Sequence, residues 1–142
     1  MICFKPFTYA QETLAIRQLY ESVSWTNYLG NDEALERAFE NSLYLLGAFK
    51  EQTLVGFIRC IGDGEPIVVI QDLLVHPDHQ KQGIGRTLLK KIWDHYSHVR
   101  QLQLNTDLND ATANQFYRNL GMKSLQEGQL IAYFRQSNNR GN

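Results

Sequence analysis

The sequence predicts an α/β protein with a single mixed, mostly antiparallel sheet and helices on both of its faces. Three observations lead to this class. The run Ile67–Val75 is almost continuously apolar, which is typical of a central strand covered on both faces. Strand and helix patterns follow one another in the order β-α-α-β-β-β-α-β-α-β-β. The 142 residues, 43% of them hydrophobic, have the size and composition of one globular domain.

The N-terminal part begins with a short strand at residues 2–7 and continues with two short helices. Their apolar positions recur with helical spacing at Ala15, Ile16, Leu19, Tyr20 and Val23, and then at Ala34, Leu35, Ala38 and Phe39. The connection between the helices, residues 24–30, contains Trp25 and Tyr28. Since a plain linker needs no aromatic side chains, we expect this connection to shape a pocket.

The middle part is predicted to be an antiparallel meander followed by a helix. A polar turn joins strands at residues 43–50 and 54–61, and glycines and a proline in residues 62–66 mark a second turn before Ile67–Val75. His76-Pro77 ends that strand. An amphipathic helix is then predicted from the apolar residues Ile84, Leu88, Leu89, Ile92, Trp93 and Tyr96.

A strand and a helix follow. Leu102 and Leu104 alternate with polar residues, and a right-handed crossover would pair this strand in parallel with Ile67–Val75. Asp110 is expected to cap the next helix, and Gly121 to end it.

The C-terminal part is expected to close the sheet. Residues 124–125 and 130–135 are predicted to form a hairpin around Gly128. We therefore expect one domain over residues 1–135 and a polar C-terminal tail over residues 136–142.

Charge and cysteine content exclude several classes of function. Lys and Arg number 14 against 15 Asp and Glu, so the net charge of -1 provides no field that attracts nucleic acid or an anionic membrane. Cys3 and Cys60 form neither a disulfide framework nor a CxxC motif, which favours the cytoplasm. We also expect no signal peptide and no membrane-spanning segment.

The densest chemical signal lies at residues 80–87, after the central strand. Gly83 and Gly85 let the backbone turn tightly, and the N–H groups of the following helix start favour an anion such as phosphate. The same glycines also suit an ordinary turn, so the spacing alone leaves both interpretations open. Leu88 replaces the third glycine of a dinucleotide fingerprint, and the G-K-S/T of a P-loop is missing.

Two sequence patterns at matching separation identify a family. The loop fits Q/R-x-x-G-x-G/A with Gln80, Gly83 and Gly85, and a V-x-P strand end lies directly upstream. The pattern N-x-x-A-x-x-x-Y, followed by L-G-F/M, is matched at Ala113, Tyr117 and the L-G-M after them. The chain thus resembles the GNAT superfamily of acyl-CoA-dependent N-acyltransferases. Within it, the chain looks most like small members related to arylalkylamine acetyltransferases.

This resemblance implies acetyl-CoA as the cosubstrate and a splayed central parallel strand pair that admits its pantetheine arm. It implies that the CoA pyrophosphate is cradled by Gln80, Lys81, Gln82, Gly83, Ile84, Gly85, Arg86 and Thr87. It further implies cofactor contacts from Leu73, Leu74, Val75, Asn109, Asn114 and Tyr117. Asp110 stands where asparagine is common in the family, so we expect it to cap the helix while Asn109 takes its place.

The predicted catalytic residues are Tyr117 and Asp72. The resemblance implies that Tyr117 is the general acid that protonates the leaving thiolate, although its position equally suits a packed tyrosine beside Phe116. Asp72 is the nearest carboxylate on the central strand, and strand alternation is expected to point it away from Gln71. It is either the general base or a structural residue, and an ordered water beside Gln71 is the alternative base.

The acceptor is predicted to contact Trp25, Tyr28 and Gln71. We expect no metal, because neither histidine pair has a third ligand: His76 and His79, and His95 and His98.

The predicted function is transfer of an acetyl group from acetyl-CoA to a primary amine of a small molecule or peptide, by direct attack in a ternary complex. A catalytically weak acyl-CoA-binding regulatory module is the alternative, because no base is evident. A nucleotide-binding switch domain is a third interpretation. The sequence leaves open the acceptor, the acyl chain length and whether two copies form a homodimer.

Overall fold

The fold was obtained as a computed structural model that describes residues 1–137. Within that range the strands are β1 (Ile2–Pro6), β2 (Tyr44–Lys50), β3 (Thr53–Gly62), β4 (Ile67–Val75) and β5 (Gln101–Leu104). The α-helices are α1 (Tyr9–Ser22), α2 (Asp32–Glu40), α3 (Ile84–His95) and α4 (Ala111–Asn119). Short 3-10 helices occupy Thr26–Gly30 and Pro77–His79. The predicted α/β class is confirmed.

The sheet belongs to the first of two compact units, residues 1–104, and has the order β1-β2-β3-β4-β5. The first four strands are antiparallel neighbours, and β5 lies parallel to β4. The parallel ladder ends where Ile70 pairs with Leu104. Residues 71–75 of β4 therefore have no strand beside them on the β5 side within the described chain. This mixed sheet and its opened parallel pair agree with the predicted fold.

An aromatic core lies between the sheet and the helices α1 and α2. In a capping box at the start of α1, Thr8 accepts a hydrogen bond from the Gln11 backbone, and the Gln11 side chain accepts one from the Thr8 backbone. The buried core residues are Phe7, Tyr9, Ile16, Leu19, Tyr20, Leu35, Phe39, Phe49, Leu54, Phe57 and Leu74. Because α1 and α2 both pack here, the core holds the two ends of the connection that contains Trp25 and Tyr28.

The opposite face of the sheet is covered by α3. Leu74 of β4 belongs to the aromatic core, whereas the next side chain, Val75, lies 3.9 Å from the position that a Cβ on Gly85 would take. Successive strand side chains point to opposite faces, so α3 and the aromatic core lie on different sides of β4. The buried side chains of α3 are Ile84, Leu88, Leu89 and Ile92. Helices thus cover both faces, as predicted.

The second compact unit begins at Asn105 and contains α4. The Asp110 carboxylate accepts a hydrogen bond from the Ala113 backbone N–H at 3.0 Å, so Asp110 caps α4 as predicted. Gly121 has a φ of +96°, the left-handed conformation expected after a helix. The predicted start and end of this helix are therefore confirmed.

The predicted closing hairpin around Gly128 is wrong for the described residues. Instead, residues 125–129 form a turn, and no strand is assigned between it and residue 137. The Glu127 carboxylate accepts hydrogen bonds from the Ser124 backbone and the Arg118 side chain, and the Leu130 N–H donates to the Leu125 carbonyl at 2.7 Å. These bonds close the chain locally, so its backbone groups are not extended for strand pairing.

Two further predictions concern the bounds of the domain and of the polar C-terminal tail. The single domain over residues 1–135 stays a prediction. Of the predicted polar tail, residues 136–137 are described and residues 138–142 lie outside the described residues. None of the helices described in residues 1–137 has the length and apolar character needed to cross a bilayer.

Candidate functional site

The start of α3 presents backbone donors to open space. Gly83 is the residue before the helix, with a φ of +84°, and within the described chain no side chain caps the helix there. A Cβ added to Gly83 would have no atom within 4 Å. The first N–H groups of an α-helix lack carbonyl partners inside the helix, and the helix dipole makes this end positive. The feature is therefore suited to a phosphate group, which would lie close to the glycine backbone.

The loop before α3 is tied to the end of β4 by side-chain hydrogen bonds. Gln80 Nε2 donates to the Val75 carbonyl at 2.9 Å. Thr87 Oγ1 donates to the Gly83 carbonyl, also at 2.9 Å. Ile84 is buried and anchors the first turn, whereas the side chains of Lys81, Gln82 and Arg86 are exposed. The predicted phosphate residues thus form one loop with its backbone fixed and its charged side chains in solvent.

The end of β4 has an open edge. The His76 N–H donates to the Val55 carbonyl on β3, so backbone groups that face β3 alternate with groups that face away. In this register the backbone N–H and carbonyl of Leu74 face β3, and those of Leu73 and Val75 face the side where β5 has ended. An extended ligand chain could add to this edge as a strand would.

A β-bulge in β4 lies at Gln71. Arg59 pairs with Asp72 and Cys60 pairs with Ile70, so Gln71 is an extra residue without a partner on β3. The expectation that Gln71 and Asp72 point to opposite faces is wrong. Both side chains line the same cavity, because the bulge interrupts the regular alternation of the strand.

The Asp72 carboxylate is buried and paired. Its residue is 2% exposed, and its Oδ2 accepts hydrogen bonds from Arg59 Nε at 2.6 Å and from the Tyr20 hydroxyl at 2.9 Å. A substrate amine could reach little of this carboxylate, because the residue is buried and two donors already bond its Oδ2. The geometry therefore favours the structural interpretation of Asp72, and its role as a base stays a prediction.

The ionisation of its partners agrees with this arrangement. Burial, followed by the nearby Asp72 carboxylate, raises the pKa of Tyr20 far above its usual range, so the phenol remains a donor. Burial by itself would lower the pKa of Arg59, but Asp72 raises it, and the net direction is upward. Arg59 stays a cation. Neither Arg59 nor Tyr20 was among the site residues predicted from the sequence. An arginine among apolar strand residues, opposite the lone aspartate of the next strand, was the available signal.

Beside the bulge lies a cavity of about 380 Å³ that opens to solvent. Its lining residues are Ser24, Trp25, Asn27, Tyr28, Gln71 and Asp72. Trp25 is 41% exposed, and Gln71 Nε2 lies 3.4 Å from the Tyr28 hydroxyl. The connection between α1 and α2 therefore forms a pocket, as its aromatic residues predicted. The structure brings the three predicted acceptor-contacting residues into this one cavity.

The remaining predicted site residues lie in the second unit. Asn114 Nδ2 donates to the carbonyls of Asp107 and Asp110, at 3.0 and 2.8 Å, and so holds the loop before α4. The Asn109 N–H donates to the Asp107 carboxylate in the same loop. Tyr117 is half-buried, and burial, followed by Asp110, raises the pKa of its phenol. The Tyr117 hydroxyl therefore stays protonated at neutral pH, as a general acid requires.

Metal ligands do not cluster in the described part of the chain. No group of three or more His, Cys, Asp or Glu residues in residues 1–137 is placed to hold an ion. His76 Nδ1 accepts a hydrogen bond from the Asp78 N–H, and His98 Nε2 lies 2.9 Å from the Gly64 carbonyl. These two histidines have local partners in the fold.

Comparison with known proteins agrees with this geometry. The model of the "Acetyltransferase (GNAT) family" matches residues 10–122. A solved GNAT-family acetyltransferase from Streptococcus pneumoniae TIGR4 is similar to this chain with a TM-score of 0.81 and 30% identity, over 97% of this chain and 99% of that one. An aminoglycoside N-acetyltransferase in complex with CoA shares the fold, with a TM-score of 0.73 and 15% identity, over 96% of this chain and 95% of that one.

The chain matches only part of a longer curated relative. The chain is 29% identical over 123 residues to an uncharacterised N-acetyltransferase, ycf52, of Gracilaria tenuistipitata var. liui. That match covers 80% of this chain and 63% of the relative, so the chain spans less than two thirds of the relative's length. The family model nevertheless covers both sequence patterns and the described site. The chain belongs to the GNAT family of acetyltransferases.

Proposed function

We propose that the protein transfers an acetyl group from acetyl-CoA to a primary amine, by direct attack in a ternary complex. The observation that carries this proposal is the uncapped start of α3 with open space at Gly83, joined by Gln80 to the end of β4. Acetyl-CoA supplies a thioester whose acyl carbon accepts the amine while the C–S bond breaks. The protein's own residues must bind, orient and exchange protons.

The loop at residues 80–87 is proposed to bind the CoA pyrophosphate. Its backbone donors face open space, and Lys81 and Arg86 add positive charge in solvent. The residues present fit the group, because a side chain at Gly83 would fill the space that a phosphate needs.

The open edge of β4 is proposed to bind the pantetheine arm. Leu73 offers its N–H and carbonyl on that edge, and Val75 offers its N–H, since its carbonyl accepts from Gln80. The backbone of Leu74 is engaged with β3. Leu74 would therefore contribute to cofactor binding indirectly, by holding β4 and its open edge in place against β3. Asn109, Asn114 and Tyr117 are proposed to contact the cofactor, as the family resemblance implies.

Proton transfer needs a donor for the leaving thiolate and an acceptor for the amine proton. We propose Tyr117 as the donor, supported by its protonated phenol and its place in the second family pattern. For the acceptor we favour water held near Gln71, because Gln71 is exposed in the cavity and Asp72 is occupied by Arg59 and Tyr20.

Trp25, Tyr28 and Gln71 are proposed to contact the acceptor, a small-molecule or peptide amine. The cavity of about 380 Å³ has the size of a small-molecule site, and its walls combine aromatic and neutral polar groups. A cytoplasmic location is proposed because Cys3 and Cys60 are free thiols, of which Cys60 is buried.

Thiol release tests the function. The purified chain and acetyl-CoA are mixed with one amine at a time: phenylethylamine, spermidine, glycine or a lysine-containing peptide. Release of CoA thiol above background, with an acetylated amine of matching amount, is expected for at least one of them. CoA binding by calorimetry without thiol release from any amine would favour the acyl-CoA-binding regulatory module. ATP or NAD binding without CoA binding would contradict both. Propionyl-CoA and butyryl-CoA in the same assay report the acyl chain preference.

A further inference from the structure

Arg59, on β3, connects β4, α2 and the loop after α2 beside the acceptor cavity. Its Nε donates to Asp72 on β4 at 2.6 Å, and its Nη1 lies 3.2 Å from Ser42 Oγ and 3.5 Å from the Ala38 carbonyl at the end of α2. Its guanidinium also lies 5.2 Å from the centre of the Phe39 ring. Arg59 itself is on β3 and only 5% exposed, so its contacts are made inside the fold.

Tyr20 brings α1 to the same carboxylate. Its hydroxyl donates to Asp72 at 2.9 Å, and its ring lies 4.8 Å from the ring of Tyr28. The Trp25 N–H donates to the Tyr20 carbonyl at 2.9 Å. Both aromatic residues of the cavity therefore touch the residue that holds Asp72.

These contacts link the bulge to the segment between α1 and α2. The segment leaves α1 just after Tyr20 and enters α2, whose far end is bonded to Arg59. Asp72 follows the bulged residue Gln71 directly, and Gln71 contacts Tyr28 across the cavity. A buried carboxylate with two donors has little freedom to move, so the bulge and the segment are held in one arrangement.

We propose that Arg59 is a positioning residue that, through Asp72 and Tyr20, holds Gln71, Trp25 and Tyr28 in the arrangement that forms the acceptor cavity. The inference rests on the proposed acetyl transfer for its kinetic test only. Arg59 does not line the cavity. It acts on the acceptor through the residues it holds, and the loop at residues 80–87 lies outside its contacts.

Two conservative variants test the proposal. Tyr20→Phe keeps the ring and removes the donor to Asp72. Arg59→Lys keeps the charge but cannot bond Asp72 and the end of α2 together. We expect kcat/KM for the most active amine of the panel to fall about fivefold in Tyr20→Phe and about tenfold or more in Arg59→Lys. The KM for acetyl-CoA should stay within about twofold, because phosphate binding uses a separate loop.

Matched controls separate positioning from stability. Tyr9→Phe changes another buried tyrosine of α1, and Arg17→Lys changes a half-buried arginine that pairs with the exposed Asp32. All variants are assayed well below their melting temperatures. The controls should keep the parent kcat/KM for the amine within about twofold, since neither residue contacts Asp72.

A second readout needs no turnover. Trp25 and Trp93 are the two tryptophans of the chain, so Trp93→Phe leaves Trp25 as the reporter of the cavity. In that background, Arg59→Lys and Tyr20→Phe should raise the acrylamide quenching constant of Trp25 by at least about 1.5-fold, because the segment moves away from the bulge.

The outcomes are distinct. If both variants match their controls in kcat/KM and in Trp25 quenching, Arg59 is structural and the proposal is overturned. A rise in the KM for acetyl-CoA as large as the fall in kcat/KM for the amine would also overturn it, because the effect would not be confined to the acceptor cavity. If the parent protein releases no thiol with any amine, the proposed acetyl transfer is contradicted. Trp25 quenching then decides the positioning role by itself: an increase in the two variants supports the role, and unchanged quenching overturns it.

Discussion

At the start of α3 the polar groups are backbone N–H groups facing open space, whereas at the bulge of β4 they are side chains that bond one another. Gly83 has no neighbour within 4 Å of a Cβ, and the charged side chains of its loop are in solvent. Asp72, by contrast, is 2% exposed and bonded to both Arg59 and Tyr20. The first region is ready for an anionic ligand, and the second has its charge already neutralised.

This difference has a physical consequence for mutation. A site made of backbone groups is insensitive to most side-chain changes and sensitive to any atom that fills its space. A buried ion pair behaves in the opposite way, because removing one partner leaves an uncompensated charge in the interior. The two regions should therefore respond to different substitutions with different readouts.

The largest effect is expected for Gly83→Glu. A carboxylate would occupy the space proposed for the pyrophosphate, and the φ of +84° disfavours any side chain. CoA binding should be undetectable by calorimetry while circular dichroism stays close to that of the parent. Gly64→Glu is the matched control, because Gly64 also has a positive φ, of +79°, but lies in the turn before β4. Parent-like CoA affinity in Gly83→Glu would show that this turn holds no phosphate.

Tyr117→Phe tests the side-chain chemistry that neither region supplies. If Tyr117 is the general acid, kcat should fall by about 100- to 10,000-fold with CoA affinity nearly unchanged. Because burial raises the pKa of its phenol above the usual value of about 10, any fall in kcat caused by its ionisation should lie above pH 10. That alkaline fall should vanish in the variant. A loss of less than about threefold, with chemistry rate-limiting, would make Tyr117 a packing residue.

Asp72→Ala tests the neutralised region. Removing the carboxylate leaves the Arg59 cation buried without its partner, and we expect the free energy of unfolding to fall by about 3–5 kcal/mol. Urea denaturation measures this change. Asp32→Ala is the control, because Asp32 forms an exposed pair with Arg17 that is expected to contribute about 1 kcal/mol or less. Similar losses in the two variants would mean that the buried network contributes no more to the free energy of unfolding than an exposed ion pair does.

Trp25→Ala should have the smallest effect and the most selective one. Trp25 lines the cavity and is 41% exposed, so its removal should raise the KM for the amine by about tenfold and leave stability nearly unchanged. The KM for acetyl-CoA should change by less than about twofold. Trp93→Phe serves as the control for loss of a surface tryptophan that is also 41% exposed. Equal changes in both KM values would refute a dedicated acceptor role.

Much of the fold follows from local patterns. The apolar run of β4, the helical spacing of α3 and the cap at Asp110 are properties of neighbouring residues, and all three of these predictions are confirmed. The closing hairpin is not formed in the described residues, because the side chain of Glu127 bonds Ser124 and Arg118 and closes a turn there. The apolar run at residues 130–134 does not reveal this competing set of hydrogen bonds.

The conformation of the loop at residues 80–87 could be predicted from the sequence by itself. The phosphate site proposed there depends on backbone conformation at glycines and on a helix start, and both depend on residues within one short segment. The same is true of the aromatic connection between the first two helices, whose Trp25 and Tyr28 indicate a pocket without any knowledge of what faces them.

Tertiary structure alone decided the other side of the site. The sequence places Gln71 and Asp72 next to each other, and regular alternation would separate them, but the pairing of Arg59 with Asp72 and of Cys60 with Ile70 inserts a bulge that turns both toward one cavity. Whether Asp72 is a free base or a buried partner depends on Arg59, 13 positions away, and on Tyr20, 52 positions away. Strand register and long-range ion pairing are set by the packing of the whole core, so no local pattern in the sequence contains them.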